Sequence, residues 1–232
     1  MRKLEIVRGI LFAVILALLF YFVWEGNGQD YYLVSLLIIV ISLFGFFFSF
    51  EKSKPSVALL TMISGLIALA VASRIVFFFL PQVKPIAAVI ILIGISFGAD
   101  AGFVSGALAA FVSNFYFGQG SWTPFQMFAL GLIGFFSGVL LKNKHNKWTA
   151  MLYGFFSVLL IYGGIVDLNT LYFTSRQPTK EIILAVYAQG LPFDLIFAAS
   201  TSFFLFVLYT PIIKTIGRIQ QKYRLIDKEA VK

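Results

Sequence analysis

The sequence contains no cysteine and only one histidine, His145. The lack of cysteine excludes disulfides, a thiolate nucleophile and cysteine-containing metal sites. His145 lies in the basic segment 142–147, which we interpret as a solvated turn. The sequence therefore offers no histidine within a membrane span for catalysis. We therefore expect no catalytic residue, no metal site and no cofactor in this chain.

The sequence also has no Gly-Lys pair, and hence no G-x-x-x-x-G-K-[ST] loop of the kind that holds the phosphates of ATP. Nor do we expect two carboxylates to face each other within a membrane span, an arrangement typical of proton relays. The chain is thus predicted to bind a ligand without supplying the energy to move it, and to need an ATP-using partner.

Charged residues are scarce too, at 12% of the chain against 60% hydrophobic residues. Together with a mean hydropathy of +0.93, this composition is typical of integral membrane proteins. The basic pair at residues 2–3 and the apolar run behind it resemble a signal peptide. Because the run ends at Trp24 with no small-residue cleavage site, we predict a retained first helix.

The apolar segments predict an all-α integral membrane protein with about eight transmembrane helices, judged against the ~20 residues that span a bilayer. The fourth segment is short, and the eighth is the second half of a stretch that we expect to break at the Gly-Leu-Pro sequence 190–192. The predicted spans are 6–24, 31–50, 56–80, 86–98, 101–117, 124–141, 148–166 and the end of 182–213. We divide the chain into a two-helix extension (1–55), a six-helix core (56–215) and a basic tail (216–232).

The distribution of basic residues predicts the orientation of these spans, since cytoplasmic loops are enriched in Lys and Arg. One predicted face carries most of them: Arg2, Lys3, Arg8, Lys52, Lys54, Lys142, Lys144, Lys147, Lys214, Arg218, Lys222, Arg224, Lys228 and Lys232. The opposite face has only Arg74, Lys84, Arg176 and Lys180. We therefore expect both termini in the cytoplasm, and the net charge of +8 needs no nucleic acid to explain it.

Residues 114–126 form a polar and aromatic stretch where two predicted spans meet, and we expect a loop there that faces outward. Its side-chain amides, Asn114, Gln119 and Gln126, lie close to Trp122 in the sequence. Amides beside a large aromatic ring are typical of small-molecule pockets. The alternative is an interfacial belt, in which Trp and Tyr anchor helix ends at the lipid headgroups.

Arg74 lies inside the third predicted span, six residues before its end at position 80. At 1.5 Å per residue it lies roughly 9 Å below the outer helix end. An arginine at that depth either extends its side chain to the interface or finds a partner, and such residues are candidates for function. If it faces inward, Asn114, Gln126, Asp194 or an anionic ligand group can satisfy it.

Small residues recur along the third predicted span at three- and four-residue steps, a pattern that lets helices approach closely in lipid. The stripe consists of Ala58, Thr61, Gly65, Ala68 and Ala72. We interpret it as a surface that docks another membrane protein. The glycine pairs 94/98, 102/106 and 134/138 are interpreted as packing within the chain.

Three stretches resemble the substrate-binding S component of energy-coupling-factor (ECF) vitamin transporters. They are RIVFFFLPQVKP at 74–85, GADAGFVSG at 98–106 and, most specifically, SNFYFGQGSWTPFQM at 113–127. The resemblance covers about residues 56–215. Within the family, the chain looks most like the subgroup associated with cobalamin and related corrinoids. It differs from the basic pattern in its two additional amino-terminal helices.

The resemblance implies a bacterial cell-membrane subunit that captures a vitamin and releases it inside the cell. Its implied partners are a transmembrane coupling subunit and two ATPases, and the family's docking motif matches Ala68 and Ala72. Gly65 of the small-residue stripe is our further candidate for this docking face. The pocket is implied to lie under three outward loops, 81–85, 118–124 and 167–190. Its candidate substrate-binding residues are Arg74, Gln82, Lys84, Asn114, Gln119, Trp122, Gln126, Tyr172, Tyr187 and Asp194.

The sequence does not identify the vitamin. Cobalamin or cobinamide is our first expectation, with a flavin, a folate-like pterin or a deazaguanine as alternatives. An autonomous secondary transporter would show inverted repeats with matching broken helices, and the 190–192 sequence has no counterpart in the first half. A membrane-embedded lipid enzyme would need clustered acidic or histidine residues, which the sequence does not provide.

Overall fold

The structure, a computed structural model, describes residues 31–52, 55–142, 146–175 and 178–222. All regular secondary structure in these ranges is helical, which confirms the predicted all-α class. The helices are α1 (Tyr31–Lys52), α2 (Val57–Val76), α3 (Ile86–Phe97), α4 (Ala99–Phe117), α5 (Trp122–Leu141), α6 (Lys147–Thr174) and α7 (Lys180–Lys222).

Four of the described helices, α2, α5, α6 and α7, are long and apolar enough to cross a membrane, and α3 is a shorter apolar helix. These helices fit a multi-pass membrane protein. The predicted span 6–24 lies outside the described residues. The predicted number of eight spans and the cytoplasmic placement of both termini therefore stay predictions.

The expected break at 190–192 is wrong, because α7 continues through it and carries both Pro192 and Pro211. A proline removes one backbone hydrogen bond, but membrane helices tolerate it where neighbouring helices and polar side chains satisfy the freed carbonyl. As a result, most of the predicted loop 167–190 is helical, since α6 ends at Thr174 and α7 begins at Lys180. The predicted loop 118–124 likewise shrinks to 118–121.

Helix α3 forms the centre of the described bundle. Every residue from Ile86 to Ile95 is buried, and α3 packs against α2, α4, α5 and α7. A helix that is apolar all round is buried all round. Gly98, with φ of +101°, then turns the chain directly into α4. The left-handed backbone at this position favours glycine.

Helices α4 and α5 pack with their backbones in contact, as the glycine pairs predict. A Cβ atom added at Gly102 would collide with the carbonyl of Gly134, and one added at Gly134 would collide with the carbonyl of Gly102. Small residues at helix crossings permit such an approach in lipid. This contact fixes the ends of α4 and α5 that carry Asn114 and Gln126.

Helix α1, part of the predicted extension, packs against α4 and α5. The ring of Phe46 stacks on Phe103 with centroids 3.5 Å apart and meets Phe135 edge-on at 5.1 Å. Most of the small-residue stripe on α2 stays exposed: Thr61, Gly65, Ala68 and Ala72. Beside it, α2 and α7 enclose an apolar groove of about 400 Å³. Helix α1 therefore leaves the predicted docking stripe uncovered.

Candidate ligand-binding site

A cavity of about 470 Å³ lies where α2, α5, α6 and α7 converge with the loop 81–85. Its volume falls in the range of about 300–1,000 Å³ that is typical of small-molecule sites. The lining residues are Arg74, Gln82, Lys84, Gln126, Tyr162, Val166, Asp167, Thr170, Thr174, Val186, Gln189, Gly190, Phe193 and Asp194. Charged, amide, hydroxyl and aromatic side chains are thus concentrated in one place in an otherwise apolar protein.

Helix α6 supplies one wall of the cavity through a wide turn. Residues Val158–Gly163 adopt π-helical geometry between two α-helical segments. Such turns shift the helix register and occur frequently at functional sites. Tyr162 within this segment and Val166, Thr170 and Thr174 beyond it follow one another at four-residue steps, and all four line the cavity. The π-turn therefore sets which face of the second half of α6 meets the ligand space.

Arg74 faces into the protein and lines the cavity. Its Nη1 donates to Ser113 Oγ at 2.5 Å and to Asn114 Oδ1 at 2.9 Å. The guanidinium also lies 4.4 Å from the ring centroid of Phe117, a cation–π distance. Of the two interpretations of this residue, extension to the interface or an inward partner, the structure has the inward one, with Asn114 among the expected partners.

The polar stretch 114–126 is two helix ends joined by a short turn, rather than the expected loop. Asn114 is buried in α4, and its Nδ2 donates to Gln126 Oε1 at 2.9 Å and to Thr123 Oγ1 at 3.1 Å. Thr123 Oγ1 donates in turn to Gln119 Oε1 at 2.9 Å. Buried amides need such partners, so most of this amide cluster holds α4 to α5, and Gln126 alone of these residues reaches the cavity.

Lys84 is half-buried at the inner side of the loop 81–85. Its backbone N–H donates to Ser200 Oγ at 3.0 Å, and its Nζ lies 4.6 Å from the ring centroid of Phe197. Burial, together with the nearby charge of Arg74, lowers the pKa of Lys84 to about 7, although Asp194 acts in the opposite direction. The amine therefore changes charge near neutral pH.

The loop 81–85 also contributes Gln82, which lines the cavity with φ of 59°. A non-glycine residue in left-handed backbone is uncommon, and such residues cluster at ligand sites. The loop positions Gln82 and Lys84 on the same side as Arg74.

Two carboxylates, Asp167 on α6 and Asp194 on α7, line the same cavity, whereas we expected no carboxylates to face each other within the spans. Asp167 of α6 lies against Gly190 of α7, and Asp194 of α7 lies against Gly163 of α6, so closely that a Cβ on either glycine would collide with the carboxylate. The packing of α6 against α7 brings together residues that are distant in sequence.

The structure brings half of the predicted substrate-binding residues to the cavity: Arg74, Gln82, Lys84, Gln126 and Asp194. The others lie elsewhere. Asn114 and Gln119 belong to the hydrogen-bond network behind Arg74, Trp122 covers Gly120 with its ring, Tyr172 packs against the core, and the Tyr187 hydroxyl donates to the Gly164 carbonyl at 2.9 Å. Their roles in binding stay predictions.

Sequence reasoning missed Tyr162, Asp167, Thr170 and Gln189 among the lining residues. The four-residue spacing of 162, 166, 170 and 174 was the available signal. It continues the helical period beyond residue 166, where we expected a loop to begin.

Residues 53–218, more than half of the chain, match a protein-family model described as "ECF-type riboflavin transporter, S component". The match includes every residue that lines the cavity and the whole of the small-residue stripe. No curated protein and no solved structure shows significant similarity to the chain.

Proposed function

The chain belongs to the family of S components of ECF-type transporters, which are transporter subunits and not enzymes, and we propose that it captures a flavin-type vitamin in the cavity beside Arg74. The observation that carries this proposal is the cavity itself, where charged, amide and aromatic side chains converge at the ends of four helices. The protein then delivers its ligand with the help of other subunits.

Riboflavin is the substrate that the observations favour, and they do not support our expectation of cobalamin. The family description names riboflavin, and a cavity of about 470 Å³ suits a three-ring heterocycle. A corrin macrocycle with its peripheral amides is far larger. The flavin alternative therefore replaces the corrinoid as the leading hypothesis.

The cavity offers a flat heterocycle the contacts it needs. Tyr162 and Phe193 present aromatic surface to the ring system, and aromatic rings pack well in offset or edge-on arrangements. The carbonyl oxygens and the unprotonated ring nitrogens of a flavin are acceptors, which suit the donors of Arg74 and Gln126. A few well-placed polar groups on an apolar wall fix ligand orientation.

Transport requires partners, because the chain lacks a phosphate-binding loop of its own. We assign this task to a transmembrane coupling subunit and two ATPases. The exposed stripe of Gly65, Ala68 and Ala72 on α2 supports a docking face there, since small residues let a partner helix approach closely in lipid. The setting is the bacterial cell membrane.

Titration of riboflavin into the purified chain in detergent, followed by quenching of flavin fluorescence, tests the proposal. We expect tight binding that Gln126→Ala weakens by about tenfold, because one hydrogen bond in a desolvated site is worth about 1–1.5 kcal/mol. Gln221→Ala, an exposed glutamine outside the cavity lining, serves as the matched control. Tight binding of cobalamin or cobinamide without riboflavin binding would contradict the proposal.

A further inference from the structure

The exposed side of α5 and α6 forms an apolar groove of about 420 Å³, here called the α5–α6 groove. It lies on a different side of the bundle from the groove between α2 and α7. Its main lining residues are Phe136 and Leu140 of α5 and Leu152, Phe156 and Leu160 of α6.

Three of these side chains form a ridge along α6. Leu152, Phe156 and Leu160 follow one another at four-residue steps and are 62%, 54% and 65% exposed. Rows of side chains at this step are the ridges that fit between the side chains of a neighbouring helix. The walls of the groove are fixed, because the Tyr153 hydroxyl on α6 donates to the carbonyl of Ile133 on α5 at 2.5 Å. The groove therefore presents one half of a helix–helix contact.

The groove also lies directly behind the ligand cavity. Leu160 and Ile161 line the groove and belong to the π-turn of α6, and the next residue, Tyr162, lines the cavity. Whatever occupies the groove therefore packs against the back of the turn that sets the cavity wall.

Helix α1 shows which part of the chain comes near this groove. It packs against α4, α5 and the segment Gly164–Thr174 of α6, so the groove lies between two of its own neighbours. Phe46 contacts Phe135, far from the cavity end of α5. Because only six residues follow Phe46 in α1, the contact with the cavity end of α6 comes from the beginning of α1.

The predicted span 6–24 is joined to that beginning by residues 25–30. Seven residue steps separate Trp24 from Tyr31, which limits their distance to about 25 Å. The span therefore starts back from the cavity end of the bundle, beside α1, and is long enough to reach the far end. In this direction it runs parallel to α6.

Small residues on this span match the ridge in spacing and in depth. They are Gly9, Ala13 and Ala17. When the predicted span 6–24 is aligned end to end with 148–166, Ala13 lies within about 1.5 Å in depth of Phe156. The other two small residues match the other two ridge residues equally well. A row of small side chains offers the shallow surface into which a ridge of large ones packs closely in lipid.

We propose that residues 6–24 of this chain dock in the α5–α6 groove, with the small-residue row against the α6 ridge. The amino-terminal segment is then part of the binding subunit itself and supports the π-turn behind the cavity. It leaves the exposed stripe of α2 free. The inference rests on the packing of the helices and not on the identity of the ligand.

Disulfide cross-linking in the membrane tests this docking, since the chain has no cysteine of its own. One groove pair is Ala13→Cys with Phe156→Cys, and the second is Ala17→Cys with Leu160→Cys. A protease site inserted within residues 25–30 allows the amino-terminal fragment to be cut off after oxidation. A disulfide forms only where the two Cα atoms come within about 7 Å.

Two control pairs have the same background. Ile15→Cys with Phe156→Cys tests the opposite face of the segment, because two residues along a helix turn by about 200°. Ala13→Cys with Gly65→Cys tests docking on the exposed stripe of α2. Gel filtration in detergent shows that each variant is folded.

We expect both groove pairs to retain the amino-terminal fragment on the full chain until the disulfide is reduced, and both control pairs to release it. Release from both groove pairs would overturn the inference and leave the groove to lipid or another protein. Equal retention by the Ile15 pair, retention by the Gly65 pair, or disulfide-linked dimers in place of cross-links within one chain would also overturn it. The readout uses no ligand, so failure of riboflavin binding would overturn the proposed function alone.

Discussion

Arg74 connects three helices that are far apart in sequence. It lies on α2, and its guanidinium donates to Ser113 and Asn114 of α4. The Asn114 side chain donates in turn to Gln126 of α5. Burying an arginine in a membrane protein is expensive unless its donors are used. The residue therefore both shapes the cavity and holds the helix ends around it.

Replacing Arg74 should destabilise the fold as well as the site. We expect Arg74→Ala to lower the free energy of unfolding by about 1–3 kcal/mol, because buried Ser113 and Asn114 lose their partner. Thermal unfolding in detergent measures the change. Arg218→Ala, at a partly exposed position near the carboxyl end of α7, is the control. Equal melting temperatures for both variants would contradict the connecting role.

The titration of Lys84 makes ligand binding depend on pH. In the free protein the pKa of Lys84 is about 7. A neutral flavin that covers the amine desolvates it further and lowers the pKa again. The complex then binds fewer protons than the free protein, so affinity should fall as the pH drops below about 7 and level off above it.

Titrations of riboflavin between about pH 5 and 9 measure this effect, with Lys84→Met as the comparison. Methionine keeps the length of the side chain and removes the amine, so the dependence on pH should become smaller. Affinity that decreases as the pH rises through about 7 in the wild type would contradict the assignment, because it would mean that binding favours the protonated amine.

At the scale of elements, the crossing of α4 and α5 is the contact on which the site depends. Gly102 and Gly134 bring the two backbones together, and the ends of the same two helices carry Asn114, Thr123 and Gln126. A substitution at the crossing therefore alters the positions of the amide side chains, although the substituted residue does not contact them.

Two glycine-to-alanine substitutions test this packing as a pair. Gly102→Ala places a methyl group against the carbonyl of Gly134 and should destabilise the protein by about 1–3 kcal/mol. Gly65→Ala, on the exposed stripe of α2, meets nothing within 4 Å and should be neutral or stabilising by up to about 1 kcal/mol through helix propensity. Thermal unfolding distinguishes them, and equal melting temperatures would contradict the close crossing.

The sequence predicted those elements whose signal is local. Long apolar runs gave α2 and α5, the turn at Gly98 separated α3 from α4, and the glycine pairs indicated close packing. The sequence did not predict the features that depend on tertiary contacts. Helix α7 passes through Pro192 because neighbouring helices support it, and the meeting of Asp167 with Asp194 depends on how α6 packs against α7, which no local pattern encodes.

On the proposed function, capture and docking use separate surfaces of the molecule. The cavity lies among the ends of α2, α5, α6 and α7, and the small-residue stripe runs along the exposed side of α2. If the two surfaces have separate tasks, a change on the stripe affects transport and leaves ligand binding unchanged.

Ala68→Leu should therefore bind riboflavin as the wild type does and support markedly less uptake, because the larger side chain keeps a partner helix at a distance. Uptake is measured in vesicles that also contain the coupling subunit and the ATPases. Ala199→Leu, an exposed alanine on α7, is the matched control and should transport normally. Normal uptake by Ala68→Leu would contradict the docking assignment.

The length of α7 has a consequence for the whole molecule. At 1.5 Å per residue, its 43 residues extend over about 65 Å, roughly twice the thickness of the hydrocarbon core. Asp194 at the cavity and Ile216 in the groove beside α2 lie about 33 Å apart on this one helix. Because both residues lie on one continuous helix, a tilt of α7 by one degree about Ile216 would displace Asp194, and with it that wall of the cavity, by about 0.6 Å.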